Sequence, residues 1–138
     1  MITIKIKDRD IPLVYTVWEM KQIQEEIAPL HEAVMMVCGV NPEDEKDFSK
    51  RGGKEQLTAL AKMLRIMGNA GLEEAGEEPN LTDKKVLRGL SPSKTADAVN
   101  TVMNAIRDGM SSEIPPKEED GPVDVVLEEL NKKKDPES

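Results

Sequence analysis

The sequence predicts a mainly helical fold: an N-terminal β-hairpin, a small bundle of about four helices and a flexible C-terminal tail helix, α+β if the hairpin is counted. Three observations carry this. Apolar residues recur at three- and four-residue steps over 20–37, 57–67 and 96–106. Side chains suited to helix caps precede these runs and glycines follow them. Only three aromatics occur, Tyr15, Trp18 and Phe48, so the core is built from Leu, Ile, Val, Ala and eight Met. Sandwiches and barrels, which lean on aromatic and β-branched strands, are disfavoured by that composition.

The expected organisation is one helical domain over residues 1–110, with the hairpin in 1–16, an acidic linker over 111–121 and an amphipathic tail over 122–138. Ile2, Ile4 and Ile6 alternate with Thr3, Lys5 and Lys7, the period of a half-buried strand. Asp8-Arg9-Asp10 reads as the turn and Ile11 to Thr16 as the second strand, which Pro12 confines to an edge or to a first ladder position. Two strands alone are marginal in water, so the isoleucine face must pack on helices or meet another subunit.

Thr16-Val17-Trp18-Glu19 has capping-box spacing and starts a helix. Met20, Ile23, Ile27, Leu30, Val34 and Val37 form its seam, ended by Gly39. Pro29 lacks an N–H and clashes with the preceding turn, which implies a kink or a break near Ala28. Residues 39–53 read as a polar loop with Phe48 as its apolar anchor. A second long helix follows through Leu57, Leu60, Leu64 and Met67 to a stop at Gly68 and Gly71. After the acidic stretch 72–80, Thr82 caps a short helix ended by Gly89. Ser91-Pro92 then opens a helix with a stripe of Ala96, Val99, Val102, Met103 and Ile106, closed by Gly109 with Met110 folding back over its end. In the tail, Val123, Val126, Leu127 and Leu130 share one face, and Lys132, Lys133 and Lys134 suit the negative end of a helix.

Charge and reactive-group content narrow the function. With 27 acidic against 19 basic residues and a net charge of −8, the chain offers no basic stripe for a phosphate backbone, so nucleic acid is not an expected partner. One cysteine, Cys38, builds neither a disulfide framework nor a thiolate cage within the chain, pointing to a reducing, intracellular setting. No apolar run spans a membrane and the first residues lack the layout of a secretory signal. His31 is the single histidine, and with Glu25, Glu26 or Glu32 nearby it still falls short of a metal ligand set. No activating base can be named for Cys38, which reads as a small buried hydrophobe. Gly52-Gly53-Lys54 and Gly68-Asn69-Ala70-Gly71 lack Walker spacing, and the acidic clusters lack the alternating oxygens of a calcium loop. Neither a cofactor, a metal nor an enzymatic reaction is expected. Met35, Met36, Met63, Met67 and Met103 read as core filler, with a flexible partner surface as the other reading.

The order of elements, with Leu57-Thr58-Ala59-Leu60-Ala61, Gly71-Leu72-Glu73, Pro79-Asn80-Leu81-Thr82-Asp83, Leu90-Ser91-Pro92, Ala105 to Met110 and Val123 to Leu130, resembles the tail assembly chaperones of siphovirus-like phages and prophages of Firmicutes. The resemblance implies a helical, non-catalytic protein of the bacterial cytosol that coats the tape measure protein, keeps it soluble, and is displaced as tail tube protein polymerises, so that it is absent from the mature virion. It carries no catalytic residues. Leu57, Leu60, Leu64 and Met67, with Val123, Val126, Leu127 and Leu130, are the expected protein-binding residues, because amphipathic clients dock in apolar grooves. The hairpin's edges make a homo-oligomer a further expectation. The alternative is another phage structural or adaptor protein of the head–tail or tail-completion type. An enzyme using carboxylates and a metal is the third class, and the crowding of acids into loops speaks against it.

Overall fold

In the computed structural model, which describes residues 2–111, two antiparallel strands lead into five helices. Strands β1 (Thr3–Ile6) and β2 (Arg9–Pro12) pair with Ile4 opposite Ile11 and Ile6 opposite Arg9. The turn is therefore Lys7-Asp8, tighter than the expected Asp8-Arg9-Asp10, and Lys7 takes the left-handed conformation at φ 57°. The second strand accordingly ends at Pro12 and does not run on to Thr16. Leu13 donates its N–H to the Ile2 carbonyl at 2.9 Å, which places Thr3 and Pro12 opposite each other without ladder bonds, a position where proline's missing donor costs nothing. Ile4, Ile6 and Ile11 are buried and Thr3 and Lys5 exposed, as the alternation requires.

Helix α1 (Val17–Glu26) begins at the capping box: Glu19 accepts from the Thr16 N–H at 2.8 Å, and the Thr16 hydroxyl accepts from the Trp18 N–H at 3.3 Å. Of the two outcomes expected at Pro29, a break is what occurs. Helix α2 (Leu30–Val37) starts anew after it, and this division raises the helix number from about four to five. Its end is a full Schellman motif: Gly39, at φ 77°, donates to Met36 and Val40 donates to Met35. Residues 40–53 form the expected loop, but Phe48 is 48% exposed under the Arg51 guanidinium and anchors nothing.

Helix α3 (Lys54–Glu74) is the spine. It does not stop at Gly68 or Gly71. Both are interior and buried, because the hairpin lies directly on the helix there. A Cβ at Gly71 would overlap the Pro12 carbonyl, and one at Gly68 would sit 2.6 Å from Leu81 Cδ1. The two glycines mark close packing where their spacing had looked like termination. Val14 N–H to Met67 carbonyl, 3.1 Å, ties the strand to the same turn of α3. Asn69 extends this framework by exchanging two hydrogen bonds with the backbone of Leu81, at 3.1 and 2.9 Å, which pins the acidic connection.

Helix α4 (Asp83–Arg88) carries the expected Thr82 cap, whose hydroxyl accepts from Lys85 N–H at 3.1 Å. Pro92–Lys94 form a 3-10 turn that leads into α5 (Thr95–Ser111). Gly109 does not close this helix: it meets the backbone of Tyr15, α5 runs on to Ser111, and Met110 is a buried residue of its inner face. Ala96 is exposed, while Val102, Met103 and Ile106 are buried as expected. One core cluster joins the hairpin to α1–α5; Met63, Met67 and Met103 are inside it, Met36 packs against it and Met35 is buried, so core filling is their role. Apart from Ser111, the linker and the tail expected over 111–121 and 122–138 lie outside the described residues, as do Val123, Val126, Leu127 and Leu130. Among the described residues, no helix is long and apolar enough to cross a membrane.

Candidate protein-binding surface

The seam expected to bind a partner is mostly interior. Leu60 is 1% exposed and Leu64 and Met67 are 0%, because α3 is covered by α2, by the hairpin and by α4 and α5. All three are core residues; for Leu64 and Met67, which line no groove among the described residues, the expectation that they contact a partner is corrected accordingly, while Leu60 lies at the floor of a groove beside Leu57. Leu57, one turn nearer the start of α3, is half-buried and opens onto an apolar groove of about 550 Å³.

That groove forms where three elements converge. Leu57 and Leu60 of α3 make its floor, Leu87 at the end of α4 and Leu90 make one side, and Pro92 and Ala96 at the start of α5 make the other. Leu87 is 38% exposed although it is a large apolar side chain, since the six-residue α4 buries only Val86 on its inner face. The Arg51–Gly52 end of the groove is held by Gln56. Its side-chain amide donates to the Val37 carbonyl at 3.1 Å and accepts from the Gly52 N–H at 2.7 Å, so the buried glutamine is satisfied on both sides while it ties the loop to α2 and α3. Within the loop, Asp47 accepts from the Ser49 N–H at 2.9 Å and from the Asn41 side chain at 3.2 Å, and the bonds to Ser49 and Asn41 lower its pKa to about 2. At the groove itself, the two Gln56 hydrogen bonds order the Arg51–Gly52 end of the wall.

Two other surfaces stand out. Val17 and Trp18, 74% and 61% exposed, lie side by side in the first turn of α1, with the Lys21 ammonium 5.0 Å from the Trp18 ring centre. On the far side of the hairpin, Lys7, Arg9, Lys84, Lys85 and Arg88 ring a cleft of about 470 Å³. Arg9 is paired there with Glu77 at 2.9 Å. A separate ion cluster joins three helices: Arg65 bonds Glu26 of α1 and, at 2.6 Å, Asp83 of α4, and Lys62 lies 3.7 Å from Asp83. The Glu26 and Asp83 carboxylates raise the pKa of Arg65.

Reactive groups are dispersed. Among the described residues no three of His, Cys, Asp and Glu come together in a metal-binding group. His31 and Cys38 are half-buried on α2 and at its C-cap. Tyr15 is buried, its hydroxyl has no hydrogen-bond partner among the described residues, and burial, with the Glu19 charge adding to it, pushes its pKa upward. What the surface offers is apolar area with ordered walls, a chemistry of docking. Sequence reasoning passed over Leu87, Leu90, Val17 and Trp18. Leu87 and Leu90 were hidden in a short helix and its exit, where a three- to four-residue period has no room to show. Comparison with protein-family models, with curated proteins and with solved structures returns no match.

Proposed function

We propose that this chain is a non-catalytic binding protein of phage tail assembly, a tail assembly chaperone that holds the tape measure protein soluble in the bacterial cytosol until tail tube protein polymerises. The observation that carries the reading is the preformed groove of Leu57, Leu87 and Leu90, joined to the sequence resemblance. A tape measure client presents long amphipathic helices, and an apolar groove accepts such a helix through side chains one turn apart. Leu57 and Leu87 expose apolar area without destabilising the core, since neither is fully buried. The net charge of −8 keeps many copies apart on one client.

Co-expression with the tape measure product of the same genome tests this. The expected result is co-purification of the two, with the chain absent by mass spectrometry from finished virions. A chain that persists in virions in stoichiometric amount is instead a head–tail or tail-completion component, and one that leaves the tape measure product insoluble is not its chaperone.

A further inference from the structure

The chain carries a net charge of −8, yet among the described residues the cleft between the hairpin and α4 is lined by cations and by no acid. Lys7, Arg9, Lys84, Lys85 and Arg88 surround its opening of about 470 Å³. The fold brings them together from two elements. At 3.6 residues per turn, Lys84, Arg88 and Lys85 fall within about 100° of one another on α4. The end of α4 is fixed to the hairpin by the Lys7 N–H, which donates to the Gly89 carbonyl at 2.9 Å. Its start is fixed to α3 by Asn69, bonded twice to the backbone of Leu81. The two cationic walls are therefore held apart at a separation the backbone sets, before any partner arrives.

The neighbouring acids do not neutralise this rim. Glu77 is paired with Arg9 at 2.9 Å, Asp83 with Arg65 at 2.6 Å and Lys62 at 3.7 Å, and Asp10 with Lys5 at 3.6 Å. Asp8 and Glu78 lie outside the lining. Among the described residues Lys7, Lys84, Lys85 and Arg88 make no ion pair. Lys85 does donate to the Asn80 carbonyl at 3.1 Å, a neutral acceptor. Cations gathered in one cleft repel each other, and carboxylates placed among them relieve that repulsion. Beneath the rim, Ile6 and Leu81 form an apolar floor over Ile11, and the alkyl stems of the lysines and arginines extend it upward. No aromatic side chain lines the cleft, so it offers nothing on which a nucleic-acid base stacks. A second copy of the chain brings its own net charge of −8, which opposes self-association.

We propose that this cleft is a second docking site, for an acidic segment of a partner protein. An aliphatic side chain of that segment rests on Ile6 and Leu81, and its flanking carboxylates meet Lys7, Lys84, Lys85 and Arg88. The site shares no lining residue with the Leu57 groove, so one chain holds an amphipathic helix in the groove and an acidic segment in the cleft. Complementary charge also steers the acidic segment past a surface that is otherwise like-charged. This inference does not rest on the chaperone reading.

An NMR titration of the full chain tests it, with a capped pentapeptide of one leucine flanked on each side by two glutamates. The Lys7, Leu81, Lys84 and Arg88 amides are expected to shift saturably, and the affinity to fall as salt is raised, because an open rim is screened over about 10 Å at 0.1 M. The double substitution Lys84→Glu with Arg88→Glu, at two exposed positions, should weaken binding at least about tenfold, and Lys84→Gln with Arg88→Gln by about threefold or more. Lys46→Glu with Lys54→Glu changes the net charge equally at exposed sites outside the cleft and should leave the affinity within about twofold. Each variant is verified as folded by far-UV circular dichroism and Tm. The absence of saturable shifts at the cleft overturns the proposal, as does equal affinity in the folded Lys84 and Arg88 variants. Equal or tighter binding of a five-nucleotide oligothymidylate overturns it and assigns the cleft to a phosphate backbone. Cleft shifts that follow the concentration of the protein alone overturn it and assign the cleft to a second copy.

Discussion

Replacing Gly71 by alanine sets two physical effects against each other, and the structure decides which wins. Helix propensity alone favours the change by about 1 kcal/mol, since glycine is a poor interior helix residue. The added Cβ, however, falls inside the Pro12 carbonyl oxygen, and the obstacle is backbone. The strand cannot slide away cheaply, because Val14 is bonded to Met67 two residues further along and Leu13 to Ile2. Overpacking costs typically about 1–3 kcal/mol, and a backbone clash belongs at the upper end. Net destabilisation of about 1–2 kcal/mol follows, a fall in Tm of roughly 5–15 °C for a folded body of this size. Gly68→Ala is the control. Its nearest obstacles are the side-chain ends Leu81 Cδ1 and Ile11 Cγ2, which can rotate or shift, so its loss should be under about 1 kcal/mol. Both are measured by thermal and urea unfolding followed by circular dichroism. A Gly71→Ala chain as stable as wild type, or more stable, would refute the claim that α3 passes Gly71 in order to seat the hairpin.

Three further outcomes are expected. Tyr15→Phe removes a buried hydroxyl that has no partner among the described residues, so it should leave stability unchanged or raise it by up to about 1 kcal/mol in urea unfolding; a loss above that would mean the hydroxyl is bonded. Thr16→Ala removes the capping oxygen of α1 and should cost about 1 kcal/mol by the same measurement. The Ser49 amide shift should titrate with the Asp47 carboxylate. Because the folded pKa of about 2 lies below the ordinary 3.8, the contribution of this carboxylate to loop order is complete above pH 3.8 and is lost as pH falls through about 2. A midpoint near 3.8 in an NMR titration would contradict the hydrogen bonds assigned to Asp47.

What was legible in the sequence was whatever short-range chemistry decides. The Thr16 box, the Thr82 cap, the break at Pro29 and the Gly39 end each depend on neighbours within a turn, and each is where the spacing placed it. Three of the errors share one cause. Gly68, Gly71 and Gly109 looked like stops because a glycine's local meaning is termination, yet their reason lies with Pro12, Leu81 and Tyr15, far away in sequence. The same holds for the candidate surface. The periodicity of Leu57, Leu60, Leu64 and Met67 identified an apolar face correctly, but it does not say whether a helix turns that face inward. For a 21-residue spine packed by elements on several sides, the face is core, and only its first two members, Leu57 and the otherwise buried Leu60, line the groove. Leu87 and Leu90 owe their position to the short α4 and to the Pro92 turn, which no single-helix pattern describes.

The account stands or falls on whether the Leu57–Leu87–Leu90 groove holds a helical client. The direct measurement is the soluble fraction of co-expressed tape measure product with the wild-type chain and with Leu57→Asp and Leu87→Asp, each variant verified as folded by its far-UV circular dichroism and Tm. The prediction is a soluble client with the wild-type chain and loss of most of that solubility with either variant at native Tm. A client equally soluble with folded Leu57→Asp and Leu87→Asp chains, or insoluble with the wild-type chain, would contradict it.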